Sequence, residues 1–153
     1  MRVWRICNAR RAASALSGEG ARLYSGRWNP VGVPMVYTAT SLALAAIEVF
    51  VHLDPRLPPL EMVSVEAELG VDEAACERVA LRDLPADWHR ERHPELQRIG
   101  AEWIESRRSL VLLAPSAAIA DSWNALVNPE HPEARRIRIV ERKPFRFDER
   151  MFR

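Results

Sequence analysis

The chain is poor in cysteine, in long apolar runs and in net charge, and each shortage excludes a class of protein. Its two cysteines, Cys7 and Cys76, are far apart and form no CxxC pattern, so we expect reduced thiols and no disulfide framework. No apolar stretch approaches the ~20 residues that a membrane-spanning helix needs. The first residues turn charged at once and lack the apolar core of a signal peptide, so a cytoplasmic protein without a membrane partner is expected.

The composition also disfavours nucleic-acid binding and metal binding. The chain has 22 Lys and Arg residues against 21 Asp and Glu residues, which gives a net charge of +1. Direct nucleic-acid binding usually requires a strongly basic surface, so none is expected. The four histidines are scattered rather than grouped at metal-ligand spacing, and no metal is expected. With 153 residues, 48% of them hydrophobic, the chain is predicted to form one domain over 1–153.

Charge is nevertheless unevenly distributed along the sequence. Segment 60–77 has six acidic residues and no basic one, whereas segment 134–153 has eight basic residues against three acidic ones. One interpretation is a pair of solvated faces that attract each other weakly. The other is a basic tail that docks on an acidic partner or on polyphosphate.

Hydrophobic periodicity predicts a mixture of strands and helices without a regular βαβ rhythm. Strands are predicted at 2–7, 33–39, 61–69, 109–113 and 136–141. One helix is predicted from a cap at Thr40 or Ser41 to about Leu53, where three prolines follow, and a second at 95–107. Segments 21–32, 81–94 and 123–132 are predicted to be loops or irregular. This mixture favours an α+β domain around a small, mixed or mostly antiparallel sheet.

The first candidate site is the loop Ser25-Gly26-Arg27-Trp28-Asn29-Pro30-Val31-Gly32. An arginine offers a planar fork of donors that matches phosphate oxygens, and glycines let a backbone approach a ligand closely. Trp28 could stack on a planar ring. The structural alternative is that Arg27 pairs with a buried carboxylate while Trp28 lies in the core.

The second candidate is Glu48, which lies in an almost wholly apolar helical stretch. A carboxylate with so few polar neighbours must be paired, protonated or functional. Its function could be to bind a sugar hydroxyl or to stabilise positive charge in a cleft. The alternative is a glutamate at the rim of the buried face, or one that pairs with His52 at i, i+4.

Two further segments are ambiguous. Ser116 follows an apolar strand and could line a cleft, but it could equally be a turn residue or a helix cap, and no GxSxG motif surrounds it. The segment 123–132 contains Asn124 and Asn128 and is interpreted as a structural loop, because asparagine side chains often tie loops to backbone groups.

Taken together, these motifs resemble those of the RES-domain toxins, a family named after an Arg, a Glu and a Ser. The matching residues are Arg27 in Gly26-Arg27-Trp28-Asn29, Glu48 at the end of Leu44-Ala45-Ala46-Ile47-Glu48, and Ser116 in Pro115-Ser116-Ala117. The resemblance extends over nearly the whole chain. It includes Trp4-Arg5-Ile6, Val36-Tyr37-Thr38-Ala39, Ile99-Gly100-Ala101-Glu102-Trp103, Asn128-Pro129-Glu130-His131-Pro132 and Phe145-Arg146-Phe147-Asp148-Glu149-Arg150.

The resemblance implies a fold similar to that of the diphtheria-toxin-like ADP-ribosyltransferases and an activity that consumes NAD as substrate. It also implies a helix-turn-helix antitoxin as partner, which blocks the site. In this interpretation Arg27, helped by Arg5, grips phosphate, while Tyr37 forms the pocket wall or stacks on nicotinamide. Glu48 stabilises the developing cation, and Ser116 positions Glu48 or the ribose. The remaining NAD contacts are assigned to Trp28, Asn29 and Asn124.

The resulting function hypothesis is a toxin that cleaves the nicotinamide–ribose bond of NAD, with either water or inorganic phosphate as acceptor. A protein mono-ADP-ribosyltransferase would use the same site. A non-catalytic module that only binds an antitoxin is a third hypothesis, and the presence of the four predicted catalytic residues argues against it. A ribonuclease fits less well, because no histidine pair is placed for acid–base cleavage.

Overall fold

The computed structural model describes residues 1–54 and 61–152. The strands are β1 (Arg2–Asn8), β2 (Val36–Ala39), β3 (Met62–Glu68), β4 (Glu77–Arg78), β5 (Val111–Pro115), β6 (Trp123–Val127) and β7 (Arg138–Phe145). The α-helices are α1 (Glu19–Leu23), α2 (Leu42–Phe50) and α3 (Pro94–Ser106), and short 3-10 turns connect several elements. No helix in the described ranges is both long and apolar enough to cross a membrane.

The strands form one seven-stranded sheet in the order β4-β5-β6-β2-β1-β3-β7. Every neighbouring pair is antiparallel except β4 and β5, which are parallel. The α+β class with a mixed, mostly antiparallel sheet is therefore confirmed. Because β6, β2 and β1 are consecutive neighbours at the centre, side chains from three distant parts of the sequence lie side by side there.

The sheet is buried on both faces at β5 and β6. Leu112 and Leu126 pack in a core cluster with Leu96 and Trp103 of α3, while Val111 and Val127 pack in a second cluster with the strand residues of β1 and β3. This double burial explains why β5 is a continuous apolar run in the sequence, since both of its faces are shielded from solvent. In β3 the predicted alternation holds over residues 65–68, where Val65 and Ala67 are buried and Glu66 and Glu68 are not, but it fails at Ser64, which is buried as well.

Helix α2 begins where the sequence predicted, because the Ser41 hydroxyl accepts a hydrogen bond of 3.1 Å from the backbone N–H of Leu44. Its buried residues Leu44 and Ala45 pack against Ile6 of β1 and Ala39 of β2. The helix ends at Phe50, so the predicted extension to Leu53 is too long by one turn. Pro55, Pro58 and Pro59, which were expected to end it, lie outside the described residues.

Three sequence predictions are corrected by the structure. Residues 123–127 form the central strand β6 rather than a loop, and residues 19–23 form a short helix at the start of the predicted loop 21–32. The last strand covers 138–145 instead of 136–141. The strand β6 escaped prediction because it is short, both of its faces are covered, and the turn-forming residues 128–132 follow it directly.

The two charge-biased segments are neighbours in the sheet. The acidic strand β3 pairs along its whole length with the basic strand β7, and Arg138 forms an ion pair with Glu68 across the two strands. The interpretation in which the two segments attract each other is therefore confirmed for these strands. Each exposed ion pair of this kind stabilises the fold by only ~0–1 kcal/mol, so backbone pairing remains the main contact.

Candidate active site

A cavity of about 420 Å³ opens between the sheet centre, helix α2 and the loop that follows α1. Its volume lies in the ordinary range for a small-molecule site. Arg5 comes from β1, Tyr37 from β2 and Asn124 from β6, so the three neighbouring strands form the floor. Glu48 of α2 and Arg27 of the loop form the walls. With Trp28, which also borders it, the fold thus brings six of the predicted site residues to one cavity.

Glu48 is held at this cavity through one of its two carboxylate oxygens. Its Oε1 accepts a hydrogen bond of 2.6 Å from the Ser116 hydroxyl and a second of 2.6 Å from Nδ2 of Asn124. No residue within the described ranges donates to Oε2. Helix α2 thus presents a carboxylate that is oriented by neutral donors and has one oxygen available to a ligand. The predicted alternative of a pair with His52 is wrong, because His52 lies beside Glu91 instead, at 3.7 Å.

Ser116 does not line the cavity itself but lies behind Glu48 and is 5% exposed. Its hydroxyl accepts hydrogen bonds from the backbone N–H groups of Ala118 (3.1 Å) and Ile119 (3.0 Å). The interpretation of Ser116 as a turn residue is therefore confirmed and that of a cleft-lining residue is wrong, while its hydroxyl also donates to Glu48, the residue that the resemblance assigns it to position.

Asn124 contributes an unpaired acceptor to the floor. Its Nδ2 is bonded to Glu48, whereas its Oδ1 is buried without a hydrogen-bond partner among the residues that the structure describes. Buried polar atoms without a partner are rare and destabilising, and at a cavity they indicate where a ligand group would bind. A donor on the ligand, such as a sugar hydroxyl, would satisfy this oxygen.

Arg5 contributes an unpaired donor to the same floor. Its Nη1 donates to the backbone oxygen of Tyr37 at 3.3 Å, but its Nε is buried without a partner in the described part of the chain. Burial lowers the pKa of the Arg5 guanidinium below its usual value. A desolvated cation with an unused N–H favours an anionic ligand group.

Arg27 is held in place by hydrogen bonds to the backbone oxygens of residues 88–90. Its Nη1 donates to the carbonyl groups of Trp88 (3.1 Å), His89 (2.8 Å) and Arg90 (2.9 Å). The predicted alternative of a pair with a buried carboxylate is therefore wrong. Within the described ranges, Nε and Nη2 of Arg27 make no hydrogen bond, so they remain available for a phosphate oxygen.

Tyr37 forms part of the wall with a hydroxyl that is fully used by the loop. The hydroxyl donates to Oδ1 of Asn29 at 2.7 Å and accepts from the backbone N–H of Trp28 at 3.0 Å. Burial raises the pKa of this phenol well above its usual value. Gly26 makes the arrangement possible, because a Cβ there would lie 2.5 Å from the Tyr37 hydroxyl. The ring can therefore contact a ligand, while the neutral hydroxyl holds the loop.

The side chains of Trp28 and Asn29 are buried in the fold, as in the alternative that places Trp28 in the core, although Trp28 also borders the cavity, and their contact with NAD stays a prediction. Trp28 is 2% exposed, and its indole packs in the core with Leu96 and Trp103. Asn29 is 0% exposed, and its Nδ2 donates to the backbone oxygen of Ala21 at 2.8 Å. Pattern reasoning left this open because the direction of a loop side chain depends on which element lies beneath it.

Three charged or titratable residues at the cavity were not predicted. His52 follows α2, and Glu91 and Arg92 belong to a segment that borders the cavity before α3. No motif marks these residues in the sequence, since the segment has neither regular periodicity nor unusual composition. The complete site combines arginines from several sides with one oriented carboxylate, which suits a ligand that has both anionic groups and a centre that becomes positive.

Known proteins resemble this chain over nearly its whole length. The model of the RES domain family matches residues 2–148. A protein of Sphingobium sp. (strain YBL2) named "Prs ADP-ribosylating toxin" is 39% identical over 98% of this chain and 96% of its own length. A "Toxin Res" of Photorhabdus laumondii is 34% identical over 99% of this chain and 97% of its own length.

A solved structure shares the fold. One chain of the crystal structure of the M. tuberculosis MbcT–MbcA toxin–antitoxin complex superposes with a TM-score of 0.73. The match covers 94% of this chain and 83% of that chain, at 19% sequence identity.

Proposed function

Because this chain belongs to the RES-domain family, as its motifs predicted, we propose that it is a toxin that cleaves the nicotinamide–ribose bond of NAD. The observation that carries this proposal is the orientation of Glu48. Two neutral donors hold its Oε1, and its Oε2 remains at a cavity of about 420 Å³. This geometry supports a carboxylate that interacts with the ribose.

Cleavage of this bond develops positive charge on the ribose, as in glycoside hydrolysis. The electron pair of the broken C–N bond moves to the nicotinamide ring, whose positive charge is thereby neutralised, so the leaving group needs no proton. The enzyme must therefore stabilise the ribosyl cation. Glu48 does so electrostatically and accepts a hydrogen bond from a ribose hydroxyl. One preorganised contact of this kind is typically worth ~3 kcal/mol, or ~100-fold in rate.

The arginines hold the diphosphate of the substrate. Arg5 lies in the floor with an unpaired Nε, and Arg27 offers the donors that the backbone oxygens do not use. The Tyr37 ring forms the wall against which the nicotinamide packs. Asn124 accepts a hydrogen bond from a ribose hydroxyl through its Oδ1.

The acceptor in this proposal is water or inorganic phosphate. With water the products are ADP-ribose, nicotinamide and a proton. With phosphate the new bond joins a phosphate oxygen to the ribose carbon, and ADP-ribose 1″-phosphate is formed. Either reaction depletes NAD, which is a sufficient cause of toxicity.

A second candidate is the transfer of ADP-ribose to a protein. It is favoured by the name of the Sphingobium relative, "Prs ADP-ribosylating toxin", which is 39% identical over 98% of this chain. The chemistry at Glu48 would be the same, and only the nucleophile would differ. The two candidates are distinguished by whether free ADP-ribose, or its phosphate, forms without any target protein.

We also propose an antitoxin partner. Three relatives are named "Toxin Res", and the structural neighbour is part of a toxin–antitoxin complex. The partner expected from the family resemblance is a helix-turn-helix protein that covers the cavity.

The test is to incubate the purified protein with NAD, with and without inorganic phosphate, and to follow nicotinamide and the ADP-ribose products by chromatography. The Glu48→Gln variant is the control for a contaminating NADase. Release by the wild type alone supports NAD cleavage, and a requirement for phosphate identifies phosphorolysis. If neither condition gives release, labelled NAD is added to a cell extract, and label on a protein supports the transferase instead. No release and no label would contradict both candidates.

A further inference from the structure

Residues 87–93 form a closed loop, the strap, that precedes α3 and borders the cavity through Glu91 and Arg92. Its two ends are joined by a contact of 3.1 Å between Oδ1 of Asp87 and Nε2 of His93. The same His93 begins α3, since its Nδ1 accepts from the backbone N–H of Glu95. The rings of Trp88 and His89 pack together at 4.0 Å. These contacts make the strap a defined element.

Arg27 forms hydrogen bonds with the middle of the strap and so connects the strap to the loop that follows α1. One guanidinium nitrogen serves three consecutive backbone oxygens, those of Trp88, His89 and Arg90. A charged donor that serves several carbonyl groups forms stronger bonds than a neutral donor does. The position of the following residues, Glu91 and Arg92, is therefore fixed relative to the arginine that is proposed to bind phosphate.

The tip of the strap places two opposite charges at the cavity. Glu91 and Arg92 both line it, and Glu91 lies 3.7 Å from His52 at the end of α2. Arg92 forms no ion pair or hydrogen bond with any residue in the described ranges. Its charge is therefore not used by the protein.

The backbone of Arg92 is unusual. Its φ is +53°, a left-handed conformation that is unfavourable for residues other than glycine, asparagine and aspartate. The strap anchors on both sides of Arg92 impose this conformation. Such strained residues cluster at ligand sites, where the surrounding structure holds them in place.

From these observations we propose that Arg92 binds the diphosphate of NAD from the strap, at the cavity that Arg5 also lines. This inference rests on the proposed function, because it assigns a further residue to the same substrate. Arg5 reaches the cavity from the sheet and Arg92 from the strap, so a diphosphate held by both would be gripped from two directions. In this proposal Arg92 increases the affinity for the substrate and takes no part in bond cleavage.

The test is the Arg92→Asn variant, because asparagine tolerates the left-handed backbone and removes only the charge and length. Arg107→Asn is the matched control, since Arg107 is also left-handed, at φ +49°, and does not line the cavity. Removal of one charged interaction with the substrate at a partly exposed site should raise KM for NAD about tenfold, with kcat within about twofold. Calorimetry should show the same decrease in affinity for ADP-ribose, and product inhibition by nicotinamide, which has no phosphate, should stay unchanged.

Each outcome decides the inference. A folded Arg92→Asn protein with unchanged KM and unchanged ADP-ribose affinity overturns it, while NAD cleavage by the wild type leaves the proposed function standing. An equal decrease in affinity for nicotinamide and ADP-ribose also overturns it, because the substitution would then have altered the whole cavity rather than removed one contact with the diphosphate. A wild type that neither cleaves NAD nor binds ADP-ribose removes the proposed function itself and the inference with it.

Discussion

The hydroxyl of Ser116 donates a hydrogen bond of 2.6 Å to Oε1 of Glu48, across 68 residues of sequence. Two backbone N–H groups, of Ala118 and Ile119, already occupy the lone pairs of this hydroxyl. A hydroxyl has one proton and two acceptor positions, so its proton can only point to the glutamate. Ser116 is thus a fixed donor that orients the Glu48 carboxylate.

The Glu48→Gln variant is expected to fold and to bind NAD, but to lose about 100-fold or more in kcat. The amide oxygen can still accept from Ser116 and Asn124, while the negative charge that stabilises the ribosyl cation is gone. Nicotinamide release measures kcat, and calorimetry with NAD measures binding. Glu95→Gln, on the exposed face of α3, is the control and should retain wild-type turnover. Normal turnover in Glu48→Gln would contradict the assignment.

The Ser116→Ala variant should lower both activity and stability. It removes the donor to Glu48 and leaves two backbone N–H groups without their acceptor, which should cost ~1–2 kcal/mol in the free energy of unfolding. We expect kcat to fall about tenfold, which corresponds to ~1.4 kcal/mol, while KM changes little. Ser17→Ala is the matched control, because the Ser17 hydroxyl also caps a turn, by accepting from Glu19, and does not line the cavity. Equal kcat values for the two variants would assign Ser116 a purely structural role.

The Gly100→Ala variant tests how closely α3 approaches the loop of Arg27. A Cβ at position 100 would lie 1.8 Å from the backbone oxygen of Trp28, so the helix or the loop must move. Overpacking of this kind costs ~1–3 kcal/mol or more, and the moved loop should also reduce activity. Gly20→Ala is the control, since its Cβ would meet nothing within 4 Å. Chemical denaturation of both variants provides the measurement, and equal stability would contradict the close approach.

The pH dependence of stability tests the buried hydroxyl of Tyr37. Because burial raises its pKa in the folded state, the unfolded chain releases this proton first as the pH rises. The free energy of unfolding should therefore be unaffected by this group below about pH 10 and should fall above it, by at most ~1.4 kcal/mol per pH unit. In Tyr37→Phe this decline should be absent, although the variant is less stable at neutral pH because the Trp28 N–H loses its acceptor and Oδ1 of Asn29 loses one of its two donors.

The measurement for Tyr37 is denaturant unfolding at pH 9 and pH 11. The chain has two tyrosines, so Tyr24→Phe isolates the absorbance of Tyr37. In that variant the tyrosinate signal should develop only well above pH 10, where the fold is lost. A signal that develops at the usual pH of a free phenol, in folded protein, would show that the hydroxyl is accessible to water.

Much of the scaffold could be predicted from local pattern. The cap at Ser41, the alternation in β3 and the apolar face of α3 each depend on residues close in sequence, and they are confirmed, in β3 over residues 65–68. The strand β6 could not be found this way. Its five residues are too few to show a period, and the prolines and asparagine beyond them resemble a loop.

The site could be predicted only in part, because the motifs identify residues of the site but do not show how their side chains are oriented. The motifs identified Arg27, Glu48 and Ser116, whose proximity the structure displays. They could not reveal that Asn29 points inward, or that Arg27 binds three carbonyl groups of the strap. Those relationships depend on backbone direction in irregular segments, for which sequence has no repeating signal.

The strand order has a consequence for the time at which the protein becomes active during its synthesis. The floor of the cavity combines β1 and β2, made early, with β6, whose last residue is Val127. The floor of the cavity is therefore incomplete as long as residue 127 is still inside the ribosome. Pairings so distant in sequence also form slowly, in milliseconds to seconds. The cavity, and any activity that depends on it, is thus absent until most of the polypeptide has emerged.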